Sequence, residues 1–419
     1  MSLTDSTAAQ TATTRRWLSI VGVGEDGIDG LNTTARESIQ SAAVVFGGAR
    51  HLALVAPLIR GAARPWASPF QRNVGEIVAH RGQAVCVLAS GDPFQYGVGS
   101  VLSAHVAAEE TTVVPGPSAF SLAASRLLWS LPQTILLSLC GRPIDLVRPH
   151  LHNAARLLVL TSDDKTPASL ACLLSSLGFG ASRIFVLEAL GGPRERIRES
   201  SASAFDLDGI DPLHTLAIEV AAEPGARILP RAVGLNDELF EHDGQITKRE
   251  VRALTLSALA PRRGELLWDV GAGAGSIAIE WLLSDPSLRS VAIEVQPERA
   301  ARIRRNAAAF GVPHLEVIEG PAPTALEQLP MPDVAFIGGG ANTPGLIDFV
   351  RGALRPNGRL VVNAVTLETE ALIVHQQAQF GGSLMRIEVS RAGPIGGEQA
   401  RMSAWRPALP VVQWHWVKP

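Results

Sequence analysis

Several things are scarce in this chain of 419 residues. It has one tyrosine and three cysteines, and aromatics make up 5% of it. Cys86, Cys140 and Cys172 are odd in number and far apart, each in an apolar setting. They read as buried free thiols, not as disulfides or metal ligands. A reducing cytoplasm fits that usage. Charge of neither sign dominates: the formal net charge is −3 and the pI about 6.4. That argues against a polyanion-binding surface as the main function. No apolar run reaches membrane-spanning length. Residues 1–15 are rich in Ser, Thr and Ala and lack an apolar core, so they read as a flexible tail and not a secretory signal. His150 and His152 stand two apart with no third His or Cys nearby, which favours a loop, and no metal is expected. No Ser/His/Asp or Cys/His constellation for nucleophilic catalysis stands out.

Glycine (39) and proline (28) are plentiful in a chain that is 46% hydrophobic, which points to many tight loops around large cores. The length fits two or three domains. The most informative stretch runs from Glu265 to Trp281. Leu266-Leu267-Trp268-Asp269-Val270 reads as a buried strand. Gly271-Ala272-Gly273-Ala274-Gly275 is a glycine turn, and Ser276 to Leu283 is compatible with a packed helix. Strand, glycine turn and helix form a nucleotide-binding βα unit, in which the small residues keep the backbone open to a ligand. The next apolar run, Ser290 to Val295, contains Glu294 near its tip. An acid there can accept from both hydroxyls of a ribose. A nicotinamide dinucleotide usually takes G-x-G-x-x-G. Here the glycines alternate and Asp269 precedes them, a pattern that resembles the class I S-adenosylmethionine (SAM) methyltransferases. A tight turn in an ordinary α/β sheet is the competing description.

In the first half, Trp17–Gly24 is a strand entering the loop Gly24-Glu25-Asp26-Gly27, and Asn32 or Thr33 caps the next helix. Further strands are expected at Val44–Gly47, Ala84–Ala89 and Thr111–Val114. The loops Ser90-Gly91-Asp92-Pro93 and Pro115-Gly116-Pro117-Ser118-Ala119 follow two of them, with Pro117 or Ser118 starting a helix. Ligands sit at such strand C-terminal ends in open α/β sheets. VGVGEDGIDGL, SGDPFQYGVGS and VPGPSAFSLAASRL together resemble the tetrapyrrole methylases, or class III SAM methyltransferases, from about Trp17 to Ala222. The resemblance implies two α/β subdomains with SAM in the cleft between them. Gly91, Asp92, Ser118 and Ala119 then line the SAM pocket, Gly22 to Gly24 face the tetrapyrrole, and Leu160 and Ala217 are candidates for the adenine side. Glu25-Asp26 stands where the family often has proline. The second subdomain has expected strands at Thr134–Leu139, Arg156–Leu160, Arg183–Glu188 and His214–Val220.

A polar linker starts at Glu223. The expected division is a tail at 1–15, a tetrapyrrole methylase domain at 16–226 (subdomains about 16–129 and 130–226) and a class I domain at 227–419. Thr247 and Glu250 form a capping box, S/T-x-x-E, before a helix through Leu259. Arg299, Arg302, Arg304 and Arg305 mark the polar side of a helix from Pro297 to Phe310. A solvated face is the preferred reading there, and a nucleic-acid patch the sharper one. Strands follow at Leu315–Gly320, Asp333–Ile337 and Leu360–Ala364. Met385–Val389 and Val411–Val417 read as an antiparallel edge pair, with Trp414 and Trp416 in the core. Gly338-Gly339-Gly340-Ala341 leaves room for a bulky planar substrate after the fourth strand, and Asn363 reads as a strand-end residue.

GQITKREVRALTLSAL, DVGAGAGSIAIEW, GPAP and VVNAVTLET together look like the decarboxylating precorrin methyltransferases of the cobalamin pathway, from about His242 to Met385. The resemblance implies SAM contacts at Thr247, at Gly271, Ala272, Gly273, Ala274 and Gly275, at Glu294 and at Ala322. Pro321 stands where the family often has Asp. The whole chain therefore resembles a class III half fused to a class I half. What this implies is a cytoplasmic, bifunctional enzyme that binds two SAM molecules and a precorrin. The first half methylates carbon 5. The second methylates carbon 15 and decarboxylates the acetate on carbon 12. A homo-oligomer is expected, with no nucleic acid, membrane or metal partner. An RNA-modifying methyltransferase and a non-catalytic SAM or tetrapyrrole carrier are the alternatives. No acid or base for the proton transfers is identified.

Overall fold

The computed structural model describes residues 16–395 and 402–419. The expected tail at 1–15 lies outside the described residues. The chain forms two compact units. The first holds residues up to 142 and 152–226. The second holds 227–419 together with the short segment Pro143–Leu151.

The first unit contains two sheets. In one, β1 (Leu18–Val23), β2 (Val44–Gly47), β3 (Ala62–Pro65), β4 (Val85–Ser90) and β5 (Thr111–Val114) run parallel in the order β3-β2-β4-β1-β5. Most of these strands are apolar without alternation, as expected when helices cover both faces. β3 was not anticipated: Ala-Ala-Arg-Pro is exposed at every position and held only as an edge. In the other sheet, β6 (Ile135–Ser138), β7 (Arg156–Leu160), β8 (Arg183–Glu188), β9 (Arg196–Ser201) and β10 (His214–Glu219) take the mixed order β6-β7-β10-β8-β9. The charged edge strand β9 also escaped the sequence pattern. Its Arg196 and Arg198 both reach the buried carboxylate of Glu188.

The second unit is built on β11 (Leu266–Val270), β12 (Arg289–Glu294), β13 (Glu316–Glu319), β14 (Val334–Ile337), β15 (Arg359–Ala364), β16 (Ser383–Ile387) and β19 (Val411–Val417), with a separate hairpin of β17 (Ser390–Pro394) and β18 (Ser403–Pro407). The large sheet has the order β13-β12-β11-β14-β15-β19-β16. β19 is antiparallel to both neighbours, so it is an interior strand and not an edge, and both Trp414 and Trp416 are buried. Leu267, Ala292, Phe336 and Val361 face one helical layer, while Trp268, Ile293, Ile337 and Val362 face the other. The chain leaves β11 outward through β12 to β13 and then returns to β14 on the other side. The topological switch, where ligands bind in such sheets, is therefore between β11 and β14.

A buried ion pair fixes the front of this unit. Arg252 Nε lies 2.6 Å from Glu280 Oε1, and both side chains are almost fully buried. Glu280 also accepts from the backbone N–H groups of Gly234 and Leu235, at 2.6 and 2.9 Å. Arg252 also donates to Asp237 and to the carbonyl of Thr247. The expected capping box does not form, because the helix starts one residue later and puts Thr247 and Glu250 at N′ and N2. The helix spans Arg249–Leu259, its N-cap is Lys248, and no side chain caps it. The cysteine expectation also needs correction: Cys86 is buried, but Cys140 and Cys172 are exposed, all three as free thiols.

Removing one partner of a buried pair leaves an uncompensated charge, at a cost of about 3–5 kcal/mol. Arg252→Met should therefore lose hydrogen-exchange protection across β11 and the helix Arg249–Leu259, while the sheet of β1 to β5 keeps its protection.

Candidate active sites

At the C-terminal edge of the first sheet, three loops meet backbone to backbone. Gly91 N donates to Val23 O and Gly116 N to Gly91 O, both at 3.1 Å. A Cβ on Gly22 would lie 1.8 Å from Gly91 O and 2.5 Å from Gly116 N, so no side chain fits there. Gly91 has φ +52, and a Cβ on it would lie 2.5 Å from Pro117 O. Ser118 caps the helix Ala119–Leu127 by accepting from Ser121 N. Beside these loops lies a cavity of about 400 Å³. Gly24, Gly91, Ser118 and Ala119 line it, and Leu160, Thr161, His214 and Thr215 of the second sheet close its other side. Two expectations fall outside it. Asp92 is not among the lining residues, and its carboxylate accepts from Phe94 N at 2.8 Å within its own loop. Ala217 is fully buried in the sheet, and Thr215 faces the cavity in its place.

In the second unit the glycine turn sits at the switch point. Gly271 has φ +71, and a Cβ on it would lie 2.7–2.8 Å from atoms of Gly339. A Cβ on Gly339 itself would make only ordinary contacts, at 3.7–3.8 Å, and one on Gly340 would have its nearest neighbour at 3.8 Å. A Cβ on Gly275 would meet Ile303 at 2.7 Å. Gly273 is the freest of the three: its nearest neighbour is Gln245 O, at 3.1 Å. Ala274 is buried, and its carbonyl accepts from Asn306 Nδ2 at 2.9 Å. Ala272 and Ala322 are partly buried against the two core layers, and Thr247 is partly exposed.

Two buried carboxylates accompany the turn. Glu294 accepts from Gly273 N at 2.9 Å and from Gln296 N at 3.1 Å. Asp269 accepts through Oδ2 from Ala278 N at 3.1 Å, and its Oδ1 has no partner. Burial pushes the Asp269 carboxyl up to about 7, against the hydrogen bond from Ala278, and the charge of Glu294 adds to the rise. Asn363, by contrast, points at Thr255 and Gln413 in a closed hydrogen-bonded set.

The arginine face is now explained. Arg299 and Arg302 pair with Asp243, Arg304 with Glu319 and Arg305 with Glu241. Arg299 first, then Arg302, holds the Asp243 carboxyl well below its usual range.

These two sheets and their strand-end sites define tetrapyrrole methylase and methyltransferase domains in one chain. A family profile described as Tetrapyrrole (Corrin/Porphyrin) Methylases matches residues 18–206, and one described as Precorrin methyltransferase domain matches residues 238–418. A precorrin-6Y C(5,15)-methyltransferase [decarboxylating] from Sinorhizobium sp is 57% identical over 416 residues, covering 99% of this chain and 100% of that one. A protein of the same name from Mycobacterium tuberculosis (strain ATCC 25618 / H37Rv) is 40% identical, covering 94% and 98%. A cobalt-precorrin-6B C(15)-methyltransferase (decarboxylating) from Salmonella typhimurium is 35% identical over 168 residues, which is 39% of this chain and 86% of that one. The chain belongs to the family of decarboxylating precorrin-6Y C(5,15)-methyltransferases.

The Asp269 carboxyl gives a pH signature. A carboxyl whose pKa is raised on folding stabilises while protonated, and that stability is lost as pH rises. The ligand-free second unit should lose stability between pH 3.8 and about 7. Asp269→Asn should abolish this slope in denaturant melts followed by hydrogen exchange. Gly91→Val should unseat the loops of the first sheet, whereas Gly273→Val, at φ +59, should strain the turn of the second unit and block ligand binding there. Circular dichroism and SAM titration of each variant check this.

Proposed function

We propose that this chain methylates precorrin-6Y at carbons 5 and 15 at two separate SAM sites. The first unit acts on carbon 5. The second acts on carbon 15 and releases carbon dioxide from the acetate side chain on carbon 12. The observation that carries the SAM assignment is the pair of buried carboxylates at the glycine turn, one with an unpartnered oxygen. Such a site suits a cationic nucleoside, and the alternating glycines depart from the G-x-G-x-x-G of a dinucleotide site. Glu294 would hold the ribose, with Gly271 and Gly273 at the backbone side and Thr247 and Ala322 at the rim. In the first unit, Gly91, Ser118, Ala119 and Leu160 would hold the second SAM. Bound SAM supplies a methyl group on a positively charged sulfur. The chain's own residues bind, orient and keep water away from a ring carbon that is itself the nucleophile.

The similarity of part of the chain to a C(15)-methyltransferase (decarboxylating) supports a division of labour. The RNA-modifying alternative rested on the arginine helix, and those arginines are paired with the chain's own carboxylates. No helix among the described residues is long and apolar enough to cross a membrane.

Charge-assisted hydrogen bonds are worth about 1.5–3 kcal/mol each, so losing the Glu294 carboxylate should weaken one SAM site at least about tenfold. In full-length Glu294→Ala, precorrin-6Y should gain one methyl and release no carbon dioxide. Mass spectrometry of the product decides. Two methyls with carbon dioxide released would reject the assignment. Because Pro143–Leu151 belongs to the second unit, a substituted full-length chain is a cleaner test than one cut at Ala226.

A further inference from the structure

The cavity of the first unit contains two side chains that methyl transfer as described above does not use. His51 lies on the helix Ala49–Leu54 after β2, and Ser90 ends β4, one residue before Gly91. Both line the cavity. His51 Nε2 is 2.9 Å from Ser90 Oγ and 2.8 Å from Arg50 Nη2, which is itself 3.0 Å from the same Oγ. An arginine only donates. The Nε2 that faces it therefore carries a lone pair, shared between Arg50 and Ser90, and the ring proton is on Nδ1, which is buried without a partner. Glu25 pairs with Arg50 on the far side, and Arg194 and Asp211 complete the charged surroundings. The other cavity histidine is held at both ring nitrogens. His214 Nδ1 faces Asp211 O at 2.8 Å, and its Nε2 faces Thr161 Oγ1 at 2.7 Å. Since a carbonyl only accepts, His214 is protonated on Nδ1 and, like His51, turns its Nε2 lone pair to a hydroxyl.

A ring carbon that exchanges hydrogen for methyl must give up a proton. The methyl arrives with a positive charge, and that charge stays on the macrocycle until the proton leaves. We propose that Ser90 and His51 are the pair that accepts this proton in the first unit. The proposal rests on the reading that this unit methylates a ring carbon. The new carbon–methyl bond uses a π pair of the ring. The C–H bond at the same carbon then breaks, and its electrons return to the ring. The proton passes to Ser90 Oγ while the hydroxyl proton of Ser90 moves to His51 Nε2. Arg50 Nη2 donates to the oxygen during the exchange, and the imidazolium later releases its proton to water. Burial, and then the charge of Arg50, lower the His51 pKa to about 4, so the imidazole is unprotonated at neutral pH. A weak base suffices, because the C–H of a cationic macrocycle is acidic.

The test uses the full-length chain with SAM and precorrin-6Y, natural and deuterated at carbon 5. Loss of a positioned base costs about 10²–10⁴-fold in rate. Ser90→Ala and His51→Gln should slow methylation at carbon 5 by that factor. Both should still bind two SAM by calorimetry and still release carbon dioxide at the native rate. The deuterated substrate should show an isotope effect larger than in the native chain. In the ligand-free protein, nitrogen-15 NMR should find His51 protonated on Nδ1. Native rates at carbon 5 in both variants would overturn the proposal. So would a loss of rate with no added isotope effect and one SAM site missing, which marks a structural role. A native chain that leaves carbon 5 unmethylated would instead refute the parent reading.

Discussion

Close approach of backbone to backbone at the C-terminal edges of two parallel sheets is the constraint on which both sites depend. In the first unit Gly22, Gly91 and Gly116 bring three loops within hydrogen-bond distance of one another. In the second, Gly338 N donates to Val270 O at 3.0 Å across the switch between β11 and β14, and the missing side chain of Gly271 lets Gly339 approach. A methyl group at Gly22 or Gly271 would overlap main-chain atoms that cannot swing aside. The glycines therefore act first by seating loops on each other, and only then by leaving room for a ligand. This differs from the simplest reading of a glycine turn, in which each missing side chain serves the ligand directly.

Electrostatics gives each site its character. The second unit places two carboxylates at one turn and leaves an oxygen of one without a partner. Burying a charge next to a like charge is unfavourable unless a cation arrives. The first unit has an arginine, a histidine, a serine and a glutamate on one side of its cavity, with threonines and leucines of the other sheet opposite. The two arrangements differ in charge and in sheet pattern, and the proposed function gives both the same ligand class.

Much of this was legible in the sequence because buried parallel strands are continuous apolar runs. Val44–Gly47, Thr111–Val114, Arg156–Leu160 and Arg183–Glu188 stand where the pattern put them. The exposed edges β3 and β9 and the hairpin of β17 and β18 were missed, because edge strands bury little and carry no apolar signature. The Thr247 capping box had the right letters, but the helix starts one residue later, with Lys248 as the N-cap and no side chain capping it. Ser90 and His51 went unremarked for a different reason. They lie 39 residues apart on different elements, and only the adjacency of β2 and β4 brings them together. Asp269 and Glu294 were visible as acids at strand tips, but the orphaned oxygen and the raised pKa follow from packing that no local pattern encodes.

The central claim is that one chain holds two independent sites for a cationic nucleoside, one of them beside the buried carboxylates Asp269 and Glu294. Titration calorimetry of SAM into the native full-length chain, at pH about 6 and about 8, tests it most directly. A cation favours the ionised form of Asp269, so binding at the second unit should tighten as pH rises through about 7. The account predicts two SAM per chain, with one of the two affinities rising with pH. A single equivalent, or two whose affinities do not change over that range, would contradict it.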